Sequence, residues 1–370
     1  MLTTVDAPFL ARKMADCLMA REGVLQKQWS YDYSVVHRGM EMLYARTGER
    51  KYFDYIQRSL DAFLSPDGSE IRGYDLESHN LDFLCLGKQL LYLYRQTKEQ
   101  RYFTAASLLR RQLYSQPRTP EGGFWHKACY PEQMWLDGLH MAAPFYLRYA
   151  LETGEGEESV NDVTWQLRLA YERTLNPATG LNCHGWDAAR RQNWADPVSG
   201  RSAHAWGRAA GWYMMALADV LELLPENAAD RGALTDILKA LAERLLSARQ
   251  DGVWQQVLDC PGRAGNYAES SGSSMIVYAL LKGARLGLLS ATVGQEAQSA
   301  FDALVRHFVG QMRDGTLFLA KCCQCAGLGG SGGRDGSFDY YVSEPVISYD
   351  LKGTGAFIQA ACEMERTLEK

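Results

Sequence analysis

The feature that most restricts this chain is a turn that recurs. TGERKYF runs from Thr47 to Phe53, and TKEQRYF begins fifty residues later at Thr97. Each follows a helical run rich in Leu and Tyr, and each leads into another helix. A weaker third copy, ETGEGEESV, begins at Glu152. A period near fifty residues that holds two helices marks an array of α-hairpins. Helical periodicity carries the array along the whole chain. It predicts twelve helices, at 7–21, 32–47, 50–64, 79–96, 100–114, 134–152, 157–174, 203–224, 230–248, 269–288, 294–311 and 349–367.

The connections alternate. Short links follow the even-numbered helices, around Gly48, Lys98, Gly154, Glu226 and Ala291. Long links precede them, at about 22–31, 65–78, 115–133, 175–202, 249–268 and 312–348. Loops beyond about 12–15 residues are uncommon unless they carry function. In antiparallel pairs, links of one parity emerge on one face, so the long loops share a face.

The helices alternate as well. Even-numbered ones are small and apolar, as in HAWGRAAGWYMMALADVL and LDGLHMAAPFYLRYA. Odd-numbered ones carry a charged stripe, as in DRGALTDILKALAERLLSARQ. Helices apolar all round are buried, and striped ones face water. Six inner and six outer helices give an all-α fold, an (α/α)6 barrel, expected as a single catalytic domain over 1–370. An open solenoid would have alike interior pairs and polar caps. The apolar last helix, VISYDLKGTGAFIQAACEM, favours a closed ring.

Composition excludes several classes. The net charge is −5, without the basic excess of a nucleic-acid footprint. No run of 18 apolar residues suggests a membrane span. The first helix is broken by Asp6, Arg12, Lys13 and Asp16, unlike the apolar stretch of a signal peptide. The expected address is the cytoplasm. Nine cysteines without an export signal read as reduced thiols. Cys322, Cys323 and Cys325 cluster, but lack the second pair that a zinc site needs. No metal or cofactor is expected.

The chemistry should lie on the long-loop face. Asp137 opens an apolar inner helix, and Asp82 holds the equivalent place one hairpin earlier. A capping role is the ordinary use of such an Asp. Two carboxylates over one funnel would instead raise one pKa and keep a proton donor near neutral pH. His126 and His184 are loop histidines, each beside a Trp, with no metal spacing; they read as donors to sugar hydroxyls. Arg208 and Trp212 lie four residues apart on one face of an inner helix. A buried Arg requires an anion. Either an inner-helix carboxylate supplies it, or a substrate does, with Trp212 as a stacking floor. The glycine-rich CAGLGGSGGRDGS lacks P-loop residues and reads as a loop framing the funnel. No G-x-S-x-G nucleophile elbow occurs.

Taken together, FWHKACYPEQMWLDGLHMAAPF, HGWD, SAHAWGRAAGWYMMALADVLE, ESSGSSM and GLGGSGGRDGSFDYYVSEPVISYDLKGTGAFI resemble glycoside hydrolase family 105. The resemblance covers about residues 25 to 365. It implies an (α/α)6 barrel that acts as an unsaturated rhamnogalacturonyl hydrolase on small oligosaccharides. It implies Asp137 as general acid/base, and Asp82, His126, His184, Arg208 and Trp212 as substrate-binding positions. Tyr31 is implied to line the same pocket. The alternatives are an unsaturated glucuronyl hydrolase, a hydrolase of another unsaturated uronoside, an epimerase on the same barrel, or a sugar-binding barrel without turnover. A monomer is expected, with no nucleic-acid or membrane partner.

Overall fold

The computed structural model describes residues 7–22, 27–330 and 332–368. Asp6 and part of the first long link lie outside them. The helices are α1 (Ala7–Glu22), α2 (Tyr31–Thr47), α3 (Arg50–Asp61), α4 (Gly87–Thr97), α5 (Gln100–Ser115), α6 (Leu136–Thr153) and α7 (Glu157–Thr174). They continue with α8 (Gly207–Leu223), α9 (Arg231–Ser247), α10 (Ser270–Arg285), α11 (Ala291–Phe308), α12 (Phe338–Ser343) and α13 (Leu351–Leu368). The even helices α2, α4, α6, α8 and α10, with α13, form the inner ring, each packed on the next, and α13 closes it on α2. The outer helices α3, α5, α7, α9 and α11 each pack on the inner helix before them, and α1 packs on α13. This is an (α/α)6 barrel.

The recurring turn has a physical basis. Thr47 Oγ1 donates to the Leu43 carbonyl at 2.9 Å and accepts the Glu49 N–H at 3.1 Å. Thr97 repeats both bonds, to Leu93 at 2.9 Å and from Glu99 at 3.1 Å. In the third copy Thr153 donates to Tyr149 at 2.8 Å. The next residue takes the left-handed conformation each time, at Gly48, Lys98 and Gly154. That conformation ends the helix and reverses the chain.

Three predicted spans differ from the structure. The helix expected over 79–96 is broken: a 3₁₀ turn, Leu81–Leu86, precedes α4. The Asn80 side chain accepts the Asp82 N–H at 3.0 Å, and this local capping competes with a regular helix start. The helix expected to 311 ends at Phe308, because 309–311 becomes strand β3 against β4 (Leu317–Leu319), numbered after two strands introduced below. The link 312–348 holds the extra short helix α12.

Inner helices meet closely because small residues face each other. A Cβ on Gly272 of α10 would lie 2.7 Å from the Gly207 backbone of α8. One on Gly355 of α13 would lie 2.7 Å from the Val35 and Val36 backbone of α2. Neither neighbour is a side chain that can swing away. Gly272→Ala is therefore expected to cost about 1–3 kcal/mol of stability. Urea unfolding checks this; an unchanged midpoint would mean the two helices slide apart freely.

Candidate active site

Two short strands assemble the site. β1 (Gln133–Trp135) pairs antiparallel with β2 (Gly185–Asp187), with Trp135 opposite Gly185. Asp137 follows β1 within the first turn of α6, and His184 immediately precedes β2. The ladder thus brings together residues 47 positions apart in sequence. The Leu136 N–H donates to the His184 carbonyl at 3.0 Å, and the His126 N–H to the Gln133 carbonyl at 2.8 Å. All three functional side chains are fixed from the same ladder.

His184 Nε2 lies 3.1 Å from Asp137 Oδ2, though off the line of a hydrogen bond. Its other nitrogen, Nδ1, meets the Tyr341 hydroxyl at 2.8 Å. His126 stacks on Trp135 at 4.5 Å between centroids, Tyr130 stacks on Trp135 at 4.7 Å, and the His126 and Tyr130 rings are nearly parallel at 6.5 Å. Asp82 binds Lys127 Nζ at 2.7 Å and lies 3.6 Å from His126 Nε2. The glycine-rich loop frames this group: Leu328 packs with Trp135 and Trp194 in a small apolar cluster of their own, with Tyr130 against it.

The electrostatics differ from the expectation of a carboxylate pair with one raised pKa. Each carboxylate has its own nitrogen partner, Lys127 for Asp82 and His184 for Asp137. Burial works upward on the Asp137 carboxyl, but His184, with His126 and Arg208 behind it, holds it below its ordinary value. Burial pushes the His126 pKa down to about 4, against the upward pull of Asp82. His126 is therefore neutral near pH 7.

Arg208 and Trp212, each 1% exposed, are as deeply buried as His184 and His126. The Arg208 guanidinium donates to the Cys323 carbonyl, and to Ser271 Oγ at 3.3 Å. It pins β5 (Cys322–Cys323), paired with β6 (Val346–Ile347), to the start of α10. Asp82 and Asp137 do not contact it; Glu269 is the acidic group whose charge supports it. Trp212 is stacked on His140 at 4.7 Å and is met edge-on by Tyr31 at 6.0 Å. Tyr31 is the partly exposed ring in front, and its hydroxyl is held protonated by burial and by the charge of Asp82.

Sequence reasoning missed Lys127 and Tyr341. Lys127 had a local signal, since it adjoins His126 on the same loop. Tyr341 lies 157 residues from His184 and had none. All nine cysteines are free thiols.

A family model described as Glycosyl Hydrolase Family 88 matches residues 10–368. The chain belongs to that family. A solved glycoside hydrolase of family 105 from C. acetobutylicum ATCC 824 is 44% identical, with a TM-score of 0.94 over 96% of this chain and 99% of that one. Protein Atu3128 of Agrobacterium fabrum is 42% identical over 232 residues, which is 60% of this chain and 97% of that protein. The unsaturated rhamnogalacturonyl hydrolase YesR of Bacillus subtilis is 29% identical over 73% of this chain and 75% of its own. No helix among the described residues is long and apolar enough to cross a membrane.

The charges around His126 give a test with two signs. Lys127 lowers the His126 pKa and Asp82 raises it. Lys127→Met is expected to raise it above about 4, and Asp82→Asn to lower it further. Titration of the His126 ring by NMR checks both, and shifts of the same sign in the two variants would refute this arrangement.

Proposed function

We propose that this glycosyl hydrolase is an unsaturated rhamnogalacturonyl hydrolase. It removes the 4,5-unsaturated uronic acid from the non-reducing end of rhamnogalacturonan oligosaccharides left by a lyase. The observation that carries the reading is the Asp137–His184 contact, set at a rim of His126, Trp135, Tyr130 and Tyr31. One carboxyl there is poised to move a proton, with polar groups to hold sugar hydroxyls. Family membership and the likeness to YesR support the substrate class.

The unsaturated ring contains a vinyl ether, C4=C5–O5. Asp137, once protonated, gives its proton to C4, and C5 becomes oxocarbenium-like. The Asp137 carboxylate then takes a proton from water, and the oxygen of that water bonds to C5. The hemiketal opens by breaking C5–O5. The resulting hemiacetal at C1 releases the remaining sugar as an alcohol and leaves a keto-aldehyde uronate. One carboxyl serves as acid and then base, so the separation rules for paired-carboxylate glycosidases do not govern this site.

In the free enzyme Asp137 is held ionised by His184. The substrate reverses this. Its own carboxylate brings negative charge into the site, and its rings displace water. Both favour the neutral acid. His184 is thus a counterweight that keeps Asp137 ionised until substrate arrives, when the carboxylate takes up a proton from solvent, while Tyr341 fixes the His184 ring. His126, Asp82, Lys127 and Tyr31 would bind the sugar. Arg208 and Trp212 act one layer back, through β5 and through Tyr31.

Two measurements test this. Loss of the unsaturated uronate's ultraviolet absorbance is followed on unsaturated rhamnogalacturonan disaccharide, with unsaturated chondroitin disaccharide in parallel. Loss in the first alone is expected; loss in the second alone would move the enzyme to glucuronyl substrates. Asp137→Asn should lower turnover by at least about 10²-fold with the melting temperature retained. Near-full turnover in that variant would remove Asp137 from the chemistry.

The pH profile gives a separate check. An acid with a depressed pKa loses its proton early as pH rises, so kcat/KM should fall on the alkaline side. Because bound substrate raises that pKa, the alkaline limb of kcat should lie at higher pH than that of kcat/KM. His184→Gln removes the counterweight and should move the kcat/KM limb up by about one unit or more. A limb that stays in place would show that Asp137 does not set it.

A further inference from the structure

Outside the cleft, His204, Asp259 and Cys260 converge on one point of the long-loop face. His204 Nδ1 lies 3.0 Å from Asp259 Oδ2 and 3.6 Å from Cys260 Sγ. The three ligand atoms all lie within 4.8 Å of one another. Bonds of about 2.0 Å to nitrogen and oxygen and about 2.3 Å to sulfur give a tetrahedron with edges of about 3.3 Å (N to O) and about 3.5 Å (N to S). The two separations from His204 Nδ1 match those edges to within a few tenths of an ångström, and the oxygen and sulfur lie within 4.8 Å of each other. A simple His–Asp hydrogen bond would explain the first contact, but it gives no reason for a thiol at the same nitrogen.

We infer that His204 Nδ1, Asp259 and Cys260 form a tetrahedral binding site for zinc or a similar thiophilic divalent cation, with water in the fourth position. Sulfur and imidazole ligands select against magnesium and calcium. The ligands are already held by the backbone. Asp259 Oδ1 accepts the Ala205 N–H at 3.1 Å, and the Leu258 N–H donates to the Ala205 carbonyl at 2.9 Å. Asn266 Nδ2 donates to the carbonyls of Val257 at 2.8 Å and Cys260 at 3.0 Å. Outer contacts of this kind orient metal ligands. Arg263 is the cation near Cys260 that opposes binding; it is exposed and also paired with Asp339 at 3.3 Å.

Binding forms a metal–sulfur bond and breaks the S–H bond of Cys260, with that proton passing to buffer. The His204 ring proton moves to Nε2, which frees Nδ1. Because the thiol gives up its proton on binding, binding tightens as pH rises. The ion would join residues 204–205 to 259–260, the loops that lead to α8 and α10. The His204 carbonyl accepts the His184 N–H at 3.1 Å, so this joint backs the catalytic cleft without entering it.

The test uses the full chain, reduced, stripped with chelator and desalted, then titrated with Co²⁺. One equivalent should give the visible bands of tetrahedral cobalt and a thiolate-to-cobalt band in the near ultraviolet, and Zn²⁺ should bleach both. A background variant, Cys129→Ser with Cys325→Ser, removes the two exposed thiols and should retain the bands. Adding Cys260→Ser should abolish the thiolate band, and His204→Gln should weaken binding by 10-fold or more. The Zn²⁺-induced rise in melting temperature should vanish in the same two variants. No saturable band, or one that survives Cys260→Ser, overturns the site.

Discussion

The architecture depends on backbone meeting backbone in the inner ring. Where Gly272 faces Gly207 and Gly355 faces Val35 and Val36, the helices approach too closely for a Cβ. This contact sets the ring's diameter. It also explains why the inner helices are small and apolar, and why polar chemistry is pushed toward the loop face. Buried charges that remain are compensated within a few ångströms, as Lys282 is by Asp219 at 2.6 Å and Glu222 at 2.7 Å.

The cleft follows the same rule of compensation with one difference. Asp82 is matched by Lys127, Arg208 by a carbonyl and the charge of Glu269, and Asp137 by His184. The first two matches are hydrogen-bonded. The third is a carboxylate beside an imidazole at 3.1 Å, and an imidazole changes its charge far more readily than a lysine or an arginine.

Much of the fold was legible because parity is written in short segments. The Thr-centred turns, the alternating loop lengths and the alternating helix polarity are all local. The site was only partly legible. Asp82, Asp137, His126 and His184 stood out because each is a polar residue in a segment that the barrel aims at one face. Trp212 and Arg208 stood out equally, and Arg208 is held by the Cys323 carbonyl, a partner that no local motif discloses. Tyr341 was invisible, since only the ring's closure brings its segment to His184. The break before α4 was missed because Asn80 capping competes with a helix pattern that otherwise continues through Asp82.

Closure of the ring also has a consequence for synthesis. The inner face of α2 packs on α13, as does α1, and α13 leaves the ribosome long after both. Roughly 300 residues separate them, which at about 5–20 residues per second is a delay of roughly 15–60 s. During that time α2 carries Val35, Val36 and Met40 with their final partner missing, although all three are fully buried in the finished barrel. Intermediate hairpins can form in order, but the first hairpin must wait for the last. During that delay the chain is most exposed to aggregation and to chaperones at the hairpin of α2 and α3.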